Sequence, residues 1–141
     1  MKVFWDTSAA INALVSAQVF RRLDSDEHFA RIHLLSEFFS IITGKGIEVR
    51  DQAGQLARLL LQPKDAAIWL RTFVGKVSFV ELDWSETLDA LDKAQALSVQ
   101  GARVYDYAHA LAAIKSGADV VLTRNEKDFT GLTGNVRVEW P

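Results

Sequence analysis

Apolar and polar positions along the chain alternate between two periods. Val3-Phe4-Trp5 is an unbroken apolar run, as in a short strand covered on both faces. Asp6-Thr7-Ser8 then opens an apolar helix over about Ala9–Val19, with Asp6 or Thr7 as its N-cap. After a charged connection from Arg21 to Glu27, Phe29–His33 reads as a second short strand. Leu34–Thr43 reads as a buried helix that contains Glu37 and is stopped by Gly44-Lys45-Gly46. Asp51 is placed to cap a helix through Leu61, and Pro63 suits the first position of another that runs to Val74, which predicts an antiparallel helical pair.

The second half repeats the scheme. Val77–Leu82 alternates as a strand, and Asp83-Trp84-Ser85-Glu86 has capping-box spacing for a helix to about Val99. Gly101 breaks the chain, Val104–Lys115 is the next helix with Gly117 as its cap, and Asp119–Leu122 is a β-branched strand. A loop over Thr123–Asn135 leads to a last strand, Val136–Glu139. Short strands alternating with helices predict an α/β fold: a three-layer α/β/α sandwich around a short, mainly parallel sheet, with residues 1–141 as one domain.

Composition narrows the function. The chain has 141 residues, 49% hydrophobic and 24% charged, enough for an independent core. No apolar run is long enough for a membrane helix, and a carboxylate at position 6 interrupts any signal-peptide core, which fits a cytoplasmic protein. With no cysteine there is neither a disulfide scaffold nor a thiolate zinc site, and His28, His33 and His109 are scattered along the chain. The formal net charge is −2, so any nucleic-acid role needs a local basic patch, a metal ion or a partner. Arg21, Arg22, Arg31, Lys45, Arg71 and Lys76 are candidates for such a patch, or else solvated surface charges.

Most of the 18 acids fall where water is expected, among them Asp24, Asp26 and Glu27 in a loop and Asp89 and Asp92 on a polar helix face. Three acids and one pair are different. Asp6 ends a buried strand, at the edge where open α/β sheets bind ligands, or it caps the following helix. Glu37 sits in an apolar helix on a narrow stripe with Ser36 and Ser40, either partly exposed or buried beside a cation. Asp106 shares a helix side with Ala110 and Ala113, flanked by His109 and apart from an apolar side of Val104, Tyr107, Leu111 and Ile114. It either borders a site or serves the helix dipole. Asn125 and Asp128 follow the last buried strand and either complete a site or build the loop. Convergent carboxylates repel one another unless a cation neutralises them, and an all-oxygen set suits Mg2+ or Mn2+ better than zinc. Such ions serve phosphodiester hydrolysis without a protein nucleophile.

Three stretches resemble the PIN domain, most closely the VapC-type toxin ribonucleases: Val3–Ala9 with its Asp-Thr-Ser, Leu35-Ser36-Glu37-Phe38, and the run from Tyr105 through Gly117 to Leu122–Phe129. The resemblance covers essentially the whole chain and implies a metal-dependent endoribonuclease. It implies an RNA substrate such as tRNA or rRNA, a cognate antitoxin protein and a homodimer. On it Asp6 and Asp106 bind Mg2+ or Mn2+ directly, Glu37 acts through water, and Asp128 or Asn125 completes the set. Thr7 or Ser8, with Thr123, supply supporting hydroxyls. The chief alternative is a catalytically silent PIN-like module that binds RNA or protein. A haloacid-dehalogenase-type phosphatase wants a second Asp where Ser8 stands. A phospho-receiver wants an acid after the middle strand, where Asp83 heads a capping box instead.

Overall fold

The computed structural model describes residues 1–141. Five strands form one sheet in the order β5-β2-β1-β6-β7, every neighbouring pair parallel. They are β1 (Lys2–Trp5), β2 (Glu27–Ala30), β5 (Ser78–Phe79), β6 (Val120–Leu122) and β7 (Arg137–Glu139). The helices are α1 (Thr7–Val15), α2 (Ala17–Arg21), α3 (His33–Thr43), α4 (Pro63–Val74), α5 (Trp84–Asp92) and α6 (Arg103–Ser116). No helix is long and apolar enough to cross a membrane.

The side-chain alternation of the central strands divides the core between two layers. Val3 and Trp5 of β1, with Val120 and Leu122 of β6, face a cluster built with α1 to α4. Phe4 and Val121 face the opposite way, into a cluster with Tyr107, Ala110, Ala112 and Ala113 of α6. The expected three-layer α/β/α arrangement around a parallel sheet is therefore present.

Aromatic contacts tie β1 to the helices that carry the candidate acids. The Trp5 ring meets Phe73 of α4 edge-on at 5.9 Å, Phe73 stacks on Trp69 at 5.5 Å, and Trp69 stacks on Phe38 of α3 at 4.7 Å. The Trp5 indole N–H is satisfied inside this core by donating to His28 Nδ1, 3.0 Å away. On the other face Phe4 meets His109 of α6 edge-on at 6.3 Å.

Several predicted elements differ in the structure. The expected helix from Asp51 to Leu61 is a β-hairpin, β3 (Ile47–Arg50) paired antiparallel with β4 (Leu56–Leu59), so α4 has no helical partner there. Ile47-Glu48-Val49-Arg50 has the period of a strand, and Asp51 closes the turn by accepting from the Gln55 N–H rather than capping a helix. Gly46 permits the entry to this hairpin: its φ is +68°, and a Cβ there would sit 2.4 Å from the Leu59 carbonyl oxygen. The first helix starts earlier than expected and breaks at Ser16, whose Oγ accepts from the Val19 N–H to begin α2. The helix after Asp83 has its full capping box but ends at Asp92, and the strand before it shrinks to two residues. In α6 the alanine side is buried together with Tyr107, while Ile114 of the larger apolar side is exposed.

Removing the α3 end of the aromatic ladder tests its weight. Phe38→Ala is expected to destabilise the fold by about 3–5 kcal/mol in chemical denaturation. Combining it with Trp69→Ala should cost clearly less than the sum, because the two rings share one contact.

Candidate metal and catalytic pocket

The carboxyl ends of β1 and β6 lie side by side, with Trp5 in register with Leu122 and the Asp6 N–H donating to the Leu122 carbonyl at 3.1 Å. The next residue on each strand, Asp6 and Thr123, is therefore brought together. Asp6 stands at the N-cap of α1 and its carbonyl accepts from the Ala9 and Ala10 N–H groups, but its side chain makes no capping bond. Instead Oδ2 accepts from Ser8 Oγ at 2.7 Å and from Thr123 Oγ1 at 2.8 Å. Both hydroxyls are themselves held by the loop after β6, Ser8 accepting from the Arg124 N–H and Thr123 from the Asn125 N–H. The carboxylate is thus fixed in orientation, with Oδ1 outside this network.

Glu37 comes from α3, one residue before the buried Phe38. It is half-exposed rather than buried, and its Oε2 accepts from Thr7 Oγ1 at 2.9 Å and lies 3.4 Å from His33 Nε2. Asp106 lies on the first turn of α6. These three acids line one pocket of about 130 Å³ together with Asn125, Thr7, Ser8, Tyr105 and His109. Asp128 does not line it. It is exposed in the short 3-10 turn Glu126–Phe129, near enough for its charge to act on Asp106.

The electrostatics follow from that crowding. Asp106 is pushed up to about 6, first by burial and then by the negative charges of Asp128, Asp6 and Glu37, with Arg103 opposing them. His109, buried behind the acids, is pushed down to about 4, chiefly by burial. A pocket lined by three carboxylates, with Asp106 pushed toward its protonated form, suits a hard divalent cation.

The remaining charged candidates divide. Arg22, Arg31 and Lys76 pair with Glu139, Glu81 and Asp24, so they do not make a free basic groove. Sequence reasoning passed over the rim of the pocket. There His33 and the exposed Tyr105 stack at 5.6 Å with their rings nearly parallel, and Arg124 lies 5.0 Å over the exposed ring of Trp140. It also set the histidines aside as scattered, although His33 precedes Glu37 by four residues and His109 follows Asp106 by three, one helical turn in each case. No protein-family model and no curated protein matches the chain.

The raised Asp106 predicts a pH signature. Its value in the fold is above the ordinary 3.8, so folding favours the protonated acid. The penalty is absent below about pH 4, grows as pH rises toward 6 and is complete above it. Asp106→Asn should then be more stable than the parent at pH 7.5 in chelator, with the difference vanishing at pH 4. Urea denaturation at several pH values reads this directly. A pH-independent difference would contradict the stated cause.

Proposed function

We propose that the chain is a metal-dependent endoribonuclease of the PIN-domain, VapC-type toxin kind, hydrolysing phosphodiester bonds in RNA. The observation that carries this reading is the convergence of Asp6, Glu37 and Asp106, distant in sequence, in one small pocket at the carboxyl ends of two buried parallel strands. Asp6 and Asp106 would hold Mg2+ or Mn2+, with Glu37 acting through water and Asn125 or the more peripheral Asp128 completing the set. The bound ion would supply an activated water and neutralise charge on the phosphodiester.

The chain's own residues prepare that chemistry. Ser8 and Thr123 hold Asp6 Oδ2, so its orientation costs nothing further when a cation enters. Thr7 holds Glu37 at the pocket edge, where the free half of its carboxylate can accept a hydrogen bond from an attacking water. Tyr105 beside His33 and Trp140 beneath Arg124 offer faces on which unpaired bases can stack, which suits single-stranded or looped RNA despite the net negative charge. The resemblance adds a cognate antitoxin, a homodimer and a cytoplasmic setting to the proposal.

The test is incubation of purified protein with total cellular RNA and with tRNA, in Mg2+, Mn2+ or chelator. Discrete fragments are expected with metal and none with chelator. Asp6→Asn and Asp106→Asn should each abolish cleavage while leaving the circular dichroism spectrum unchanged. Full turnover in either variant would remove the metal assignment. Asn125→Ala and Asp128→Asn compared side by side identify the fourth position, and a larger loss is expected at Asn125, which lines the pocket. Trp140→Ala should weaken RNA binding about tenfold, the worth of one stacked base. Filter binding with the Asp106→Asn background measures that separately from cleavage.

A further inference from the structure

Along one side of the carboxylate pocket lies a second donor set of different chemistry, which shares Glu37 and His109 with the pocket lining. His33 and Glu37 occupy successive turns of α3, with Nε2 and Oε2 3.4 Å apart. His109 of α6 faces them, and one ligand atom from each of the three lies within 4.8 Å of the others. The His33 ring is held flat against Tyr105, which orients it. His109 is only 2% exposed, and its Nδ1 is buried with no hydrogen-bond partner. A buried imidazole left unsatisfied calls for a ligand or a role, since an orphaned polar group is costly.

We infer that His33, Glu37 and His109 form a binding site for a borderline divalent transition ion, Zn2+ in the first instance. Two imidazoles and one carboxylate are a set that zinc takes readily, with its remaining position left to water. Imidazole disfavours Mg2+, which demands oxygen. Donors on a tetrahedral zinc stand roughly 3.3 Å apart, so the His33–Glu37 pair already has the spacing and His109 needs an adjustment of at most about 1.5 Å. The half-exposed side chains of His33 and Glu37 can make it. Glu37 belongs to both donor sets, so an ion seated here contends with the acidic pocket for that carboxylate; this consequence alone rests on the nuclease reading, and the binding does not.

The experiment uses the purified chain, Co2+ as a spectroscopic probe and Zn2+ in isothermal titration, both with excess Mg2+ present. Visible cobalt bands and one Zn2+ bound per chain are expected. His33→Ala should abolish the bands and weaken Zn2+ binding beyond the roughly 10–100-fold that loss of a mere supporting hydrogen bond costs. Asp106→Asn should keep the bands and weaken Zn2+ binding less than His33→Ala does, because Asp106 acts on this set only through its charge. His33 carries the test because it is accessible, whereas a variant of buried His109 can fail through folding; circular dichroism and thermal unfolding of His33→Ala in chelator verify that the fold is retained. Absence of Zn2+ binding in the parent chain, or binding that depends on Asp106 more than on His33, overturns the inference. Failure of RNA cleavage with intact Co2+ bands would overturn the nuclease reading and leave this site standing.

Discussion

The strand β1 is anchored in two directions at once, and the pocket depends on it. Trp5 points into the layer of α1 to α4, where a continuous line of rings reaches Phe38, the neighbour of Glu37. Phe4 points into the opposite layer and meets His109, one turn from Asp106. Parallel pairing with β6 aligns the end of the strand with Thr123. Four residues of a strand thus determine where three segments remote in sequence meet. A shift of β1 by one residue would exchange the faces of Phe4 and Trp5 and dissolve every one of these relations.

Charge crowding at the pocket is the counterpart of that precision. Close-packed cores stabilise a fold, whereas carboxylates held together without a cation oppose it. The raised Asp106 marks the cost, and the hydroxyls of Ser8, Thr7 and Thr123 hold the acids that flank it. The same hydroxyls prevent the acids from turning away from one another. The pocket is therefore organised before any ligand enters, which is what an ion site needs for high affinity.

Much of this was legible in the chain. Apolar runs marked the buried strands, and Gly117 and the box at Asp83–Glu86 marked helix ends, because these signals are local and have one physical meaning each. The hairpin over residues 47–59 was not legible as such. Leu56, Leu59 and Leu60 also have helical spacing, so this half of the hairpin does not show its period, although Ile47–Arg50 does and Gly54 turns between them with a positive φ. The side chain of Asp6 was drawn from the cap by Ser8 two residues on and by Thr123, 117 residues away, the second beyond any local rule. The meeting of His33 with His109 was likewise a tertiary fact, although each stood one turn from a candidate acid. The alanines of α6 are buried against the sheet together with Tyr107 and His109, so the buried side of this helix is not its most apolar stripe.

The order of the pocket residues has a consequence in time. A chain made from its N-terminus exposes Asp6 and Glu37 early, but Asp106, Thr123 and Asn125 belong to its last third. The central strand β1 must wait for β6, the fourth strand of the five to be synthesised in this sheet, before its second edge is covered. Parallel pairings of such sequence separation form late in folding. A partly made chain therefore holds half a binding site and no pocket. Whatever chemistry the pocket performs begins only once α6, β6 and the loop after it have joined β1.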